Sequence, residues 1–205
     1  MTYRRTTSAL VMAACVIGAA AVPAAADQPR SPSAYAVQEA TAQQAANSAD
    51  AEFVEMMIPH HFQALVMSDM APSRGNDTEL LALADRIDVE QGLEISMMQQ
   101  WQGWHGLDVT DAEEAYHHML QHPEMLEQMG MATPEELDQL SASSGTAFDV
   151  LYLELMIEHH EGAIDMLVDV ISNGNDVTLE QWATDMLTTQ YTQIQQMNAM
   201  LDRLT

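Results

Sequence analysis

The chain contains no lysine, and six arginines are its only basic residues besides histidine, set against 31 acidic ones for a formal net charge of −25. A surface this acidic repels phosphates, which excludes nucleic acid and argues against anionic membranes as partners. Cysteine occurs once, at Cys15 in an apolar leader. Beyond that leader no disulfide can form, so stability must come from an ordinary core. No stretch alternates apolar and polar residues convincingly enough to predict a strand. Neither a glycine-rich phosphate loop nor a Ser-His-Asp spacing stands out.

Residues 1–26 read as a signal peptide. Tyr3, Arg4 and Arg5 make a basic start, residues 9–22 form an apolar run, and Ala24, Ala25 and Ala26 give the small-residue pattern cut by a signal peptidase, here before Asp27. The run is too short and wrongly flanked for a membrane span, so an exported protein, secreted or periplasmic, is expected. Met12 is a poor residue three places before Cys15, which argues against a lipid-modified start. Residues 27–49 are rich in Ala, Gln, Ser and Pro without a hydrophobic period and read as a flexible N-terminal arm. The remainder, 50–205, suffices for one domain.

That domain is written twice. A shift of 99 positions superimposes 53–101 on 152–200 without a gap, matching Met57 with Met156, His60 with His159, His61 with His160, Met67 with Met166 and Met98 with Met197. The match runs through a turn, Gly75-Asn76-Asp77 against Gly174-Asn175-Asp176. Each copy reads as a helical hairpin, with arms near 50–70 and 78–101 in the first and with Asp77 and Asp176 as N-caps. Repeat one spans 50–102, a connection 103–145 and repeat two 146–205. The connection carries helix signals of its own, with capping boxes expected at Thr110-x-x-Glu113 and Thr133-Pro134-Glu135-Glu136. The predicted fold is all-α: a four-helix bundle of two repeated hairpins, related by a pseudo-two-fold axis and joined by a long helical crossover.

The doubled stretches "MMIPHHFQALVM" and "LMIEHHEGAIDM" carry the chemistry. On a helix Met57, His60, Ala64 and Met67 share one stripe with His61 on its flank, and Met156, His159, Ala163, Met166 and His160 repeat it. Met98 and Met197 lie on the second arms. A methionine stripe by itself is ordinary core, because methionine is an adaptable filler. Burying four imidazoles, however, costs desolvation unless each finds a partner. Two readings are therefore open: core histidines satisfied by hydrogen bonds, or ligands. Thioether plus imidazole suits Cu(I), or its mimic Ag(I), better than Zn²⁺, Fe²⁺ or Mg²⁺. A secondary candidate, His118, His122 and Met125, lies in the connection. Pro59 removes one helical hydrogen bond and is expected to bend the first arm before His60. A catalytic di-iron site needs Glu-x-x-His on two helices and four carboxylates. The four arms carry no Glu-x-x-His, and Glu94 is matched by Gln193, so no catalytic residue is assigned.

The segments "FVEMMIPHHFQALVM", "LADRIDVEQGLEISMMQQW", "EMLEQMGM" and "FDVLYLELMIEHHEGAIDML" resemble the domain of unknown function 305 family across about 50–201. The resemblance implies a secreted, ferritin-like bundle rich in His and Met and, from the members described as periplasmic copper-binding proteins, a role in copper handling. It points to Met57, His60, His61, Met67 and Met98, and to Met156, His159, His160, Met166 and Met197. Expected, then, is an exported Cu(I)/Ag(I) scavenger or carrier. The alternatives are a structural or interaction bundle without metal, or a ferritin-like metalloenzyme; a homo-oligomer stays open.

Overall fold

The computed structural model describes residues 46–205. The expected signal peptide, its cleavage site and most of the N-terminal arm lie outside the described residues. The first long helix, α1 (Ser48–Arg74), starts at a reciprocal capping box: the Asn47 side chain accepts from the Asp50 N–H at 3.0 Å, and Asp50 accepts from the Asn47 N–H at 2.9 Å. It begins slightly ahead of the expected boundary and runs through Pro59 without a break. The second arm, α2 (Thr78–Trp104), starts at Asp77, whose carboxylate accepts from the Glu79 and Leu80 N–H groups, as the turn sequence predicts.

Three short helices form the crossover: α3 (Ala112–Met119), α4 (Pro123–Gln128) and α5 (Pro134–Ala142). Thr133 and Glu136 make the expected capping box of α5. The box expected at Thr110 is not formed. Asp111 caps α3 by accepting from Glu114 N–H at 2.9 Å, and Thr110 instead exchanges two hydrogen bonds with the buried Gln102. A carboxylate one residue later out-competes the hydroxyl, which the Gln102 amide has already engaged.

The second hairpin repeats the first as α6 (Thr146–Asn173) and α7 (Val177–Leu204), again with an aspartate cap, Asp176, accepting from Leu179 N–H at 2.8 Å. The described residues contain no strand, and the fold is the all-α bundle of two hairpins that the repeat predicts.

Two buried aspartates interlock the hairpins. Asp50, at the start of α1, accepts from the Asn175 and Asp176 N–H groups in the far turn. Asp149, at the start of α6, accepts from the Asn76 and Asp77 N–H groups. These aspartates are themselves 99 positions apart, so each hairpin holds the other's turn. The contacts place the start of each first arm beside the end of the other, so α1 and α6 run antiparallel along a central seam. His60 and His159 meet on that seam.

Candidate metal site

The two central rings lie with centroids 3.8 Å apart, where α1 crosses α6 at the pseudo-two-fold position. His61 flanks His60 at 6.2 Å, and His160 flanks His159 at 5.9 Å. All four imidazoles are fully buried. Each has an oxygen acceptor at Nε2. His60 Nε2 donates to the Met129 carbonyl at 3.1 Å and His159 Nε2 to the His60 carbonyl at 2.8 Å. The flanking rings use side chains of the second arms: His61 Nε2 donates to Glu94 Oε2 at 2.8 Å, and His160 Nε2 to Gln193 Oε1 at 2.7 Å. Gln193 in turn donates from its Nε2 to Glu90 Oε2 at 2.7 Å, which fixes the amide with its oxygen toward the ring.

Carbonyl and carboxylate oxygens only accept, so each ring carries a proton on Nε2, and a neutral ring then has its lone pair on Nδ1. All four Nδ1 atoms are buried with no hydrogen-bond partner. An unpaired buried acceptor is costly, and four at equivalent positions of a repeat form a pattern. Ring N–H donation to an oxygen, with the other nitrogen left bare, is how metal-ligating histidines are held. The amide of Gln91 and the Oε1 of Gln190, one repeat apart on the second arms, are also buried without partners.

Burial keeps His60, His159 and His160 neutral. It pulls His60 down to about 3, helped by the neighbouring His61, against the weak opposing pull of the Met129 carbonyl. Burial also holds His159 well below the ordinary imidazole range, with His60 adding to it. His160 falls to about 4 through burial, opposed by the Gln193 side chain. A neutral imidazole is the form that binds a metal.

The methionines divide between two apolar clusters. Met67, Met156 and Met197 belong to one; Met57 and Met98 belong to the other, against which the half-buried Met166 packs. Each cluster thus takes a first-arm and a second-arm methionine from one repeat and the crossing methionine from the other. No three His, Cys, Asp or Glu side chains are grouped to hold one ion among the described residues. A metal here would have to draw on thioethers. His118 and His122 lie apart from the seam, at the end of α3 and the start of α4, with ring centroids 5.0 Å apart on an accessible face. Met125 is half-buried one turn further on.

A strap from the crossover covers the seam. The Gln63 side chain pairs with the backbone of Ala132 in both directions, at 2.7 and 2.8 Å. The repeat partner of Gln63 is Gly162, where a Cβ would overlap the Met129 carbonyl oxygen. Gly130 has φ +64°, and a Cβ there would overlap the Glu158 carbonyl. One copy therefore grips the strap while the other makes room for it. The acceptors of His60 and His159 are backbone carbonyls, which no sequence pattern marks. Glu94 and Gln193, by contrast, were visible as a mismatched pair, though not as ring partners.

The Domain of unknown function (DUF305) family matches residues 50–201. The chain belongs to this family. Among solved structures, a DUF305 protein of Streptomyces coelicolor described as secreted is 30% identical, with a TM-score of 0.67 over 77% of this chain and 94% of that one. A DUF305 fragment from Deinococcus radiodurans is 27% identical, with a TM-score of 0.69 over 78% and 99% of the two chains. CopM in its Cu(I)-bound form is 28% identical, with a TM-score of 0.60 over 75% and 96%. CopM has also been solved in Ag-bound, Cu(II)-bound and apo forms. No functionally curated protein matches the chain. No helix among the described residues is long and apolar enough to cross a membrane.

Proposed function

We propose that this DUF305 protein is an exported soft-metal-binding protein that holds Cu(I), and equally Ag(I), through His and Met side chains, as a scavenger or carrier in copper handling. One observation carries the reading: four buried imidazoles each donate from Nε2 and keep an unpartnered Nδ1, inside a core rich in buried methionine. His60, His61, His159 and His160 would supply nitrogen, and Met57, Met98 and Met166, with Met67, Met156 and Met197, would supply sulfur. Polarizable thioethers beside imidazoles favour a soft monovalent ion over oxygen-seeking Mn²⁺ or Fe²⁺. The likeness to CopM supports copper or silver as cargo, and the secreted Streptomyces relative supports export. His118 and His122 form a secondary, surface candidate with Met125 nearby.

A second reading is favoured by the completeness of the Nε2 bonds: the pairs would be core histidines of a structural or interaction bundle, with no metal role. Titration under reducing conditions against a competing Cu(I) chelator separates the two. The metal reading expects tight Cu(I) and Ag(I) uptake with little Fe²⁺ or Mn²⁺ binding. No uptake favours the structural bundle, whereas comparable Fe²⁺ binding with oxygen-dependent turnover would favour a ferritin-like metalloenzyme.

A further inference from the structure

The repeat that makes the two histidine pairs alike leaves their supports unlike. In the first copy the flanking ring, His61, donates straight to a carboxylate, Glu94, at 2.8 Å. The equivalent position in the second copy is Gln193, so His160 donates to a neutral amide at 2.7 Å. The nearest carboxylate in that chain, Glu90, stands one hydrogen bond further out, at 2.7 Å from Gln193 Nε2. Nor does the repeat give Glu90 a matching acid: Thr189 occupies that place. A direct contact and a relayed one therefore support two otherwise matched rings.

We propose that Glu94 is a positioning residue that makes the His61 half the stronger cation-binding half, while the Gln193–Glu90 relay leaves the His160 half the weaker one. This rests on the metal reading given above. An imidazole whose N–H donates to a carboxylate carries more electron density on its other nitrogen than one donating to an amide, and is the better ligand. The carboxylate also places negative charge one ring away from the incoming cation, where the relay interposes a whole amide. Both supports hold their rings in the same tautomer, so the halves differ in donor strength and not in which nitrogen is free. The protein then fills in order, first half before second, and a graded pair of affinities suits a carrier that must hold one ion and release another.

The experiment is an Ag(I) titration of the protein with ¹⁵N-labelled histidine, reading the Nδ1 resonances of His61 and His160, alongside Cu(I) competition to give stepwise constants. Three proteins are compared: wild type, Glu94→Gln, and the double variant Glu90→Gln/Gln193→Glu, which moves the carboxylate into direct contact with His160 while avoiding two facing acids. In the wild type the His61 resonance should move first. Glu94→Gln should weaken the first step about 10–100-fold and bring the two steps together. The double variant should tighten the second step by a similar factor. Apo melting curves recorded in parallel separate any purely structural effect, which would shift stability without reordering the resonances. Metal uptake with both resonances moving together in the wild type, or stepwise constants unchanged in Glu94→Gln, overturns the inequality alone. Absence of uptake by all three proteins overturns the metal reading and this inference with it.

Discussion

At His60 the imidazole sits at about 3, and at His160 at about 4, because burial removes the water that would solvate an imidazolium. His159 is lowered in the same direction. In the unfolded chain these rings return to the ordinary value of 6.5. Between about pH 4 and 6.5 the unfolded state therefore binds protons that the native state refuses, and stability falls as the solution is acidified through that window. The loss is on the order of 1 kcal/mol per pH unit for each such ring. Protonation of the acidic surface works the other way by relieving self-repulsion, so the difference between proteins is the informative quantity. Urea midpoints at pH 7.5 and 5.0 should fall further for the apo wild type than for His60→Gln/His159→Gln. Equal falls would mean that these rings are not held neutral by the fold.

At the scale of elements, Asp50 and Asp149 hold turns with the N–H groups of the opposite hairpin. Truncating Asp149 to alanine leaves the Asn76 and Asp77 N–H groups without their acceptor and should cost about 1–3 kcal/mol in denaturant unfolding. Asp50→Ala should cost more, because the same carboxylate also closes the capping box at Asn47. If Asp50→Ala costs no more than Asp149→Ala, the double role is wrong. Much of this architecture was legible: a gap-free shift of 99 positions gives two hairpins, their turns and their aspartate caps. Asp50 and Asp149 obey the same shift but stand just before the segment where the similarity is dense. The crossover was less legible, because Thr110 and Asp111 are both good caps and the choice depends on where Gln102 reaches. The strap over the seam was invisible for a different reason. Its role rests on the Met129 carbonyl and on the pairing of Gln63 with a backbone segment, and neither has a side-chain signature at the far end.

On the scale of the whole molecule, each hairpin braces the other's turn. The Asp77 cap pairs with Arg203 at 2.7 Å, and the Asp176 cap lies 3.3 Å from His105, so the end of each second arm reaches the other hairpin's turn. The exposed Arg203 pair contributes little by itself. Together with the buried aspartates and the α1–α6 seam, these pairs leave one half alone with an uncovered apolar face. Residues 27–103 should therefore dimerise or remain molten. A monomeric half with a cooperative melt, read by sedimentation and calorimetry, would show two independent domains instead.

The histidine pairs themselves are the centre of the account, and their Cu(I) affinity tests it most directly. Wild type and His60→Gln/His61→Gln should be titrated under reducing conditions against the same competing chelator, with melting followed in both. Loss of apo stability is expected on any reading, since two buried hydrogen bonds are removed, so affinity decides. The wild type should gain about 2.7 kcal/mol at a hundredfold excess of Cu(I) over its dissociation constant. In the double variant both the affinity and that gain should largely disappear. Unchanged Cu(I) affinity in this variant and in His159→Gln/His160→Gln would contradict the account, leaving the pairs as core histidines and His118 and His122 as the remaining candidate ligands.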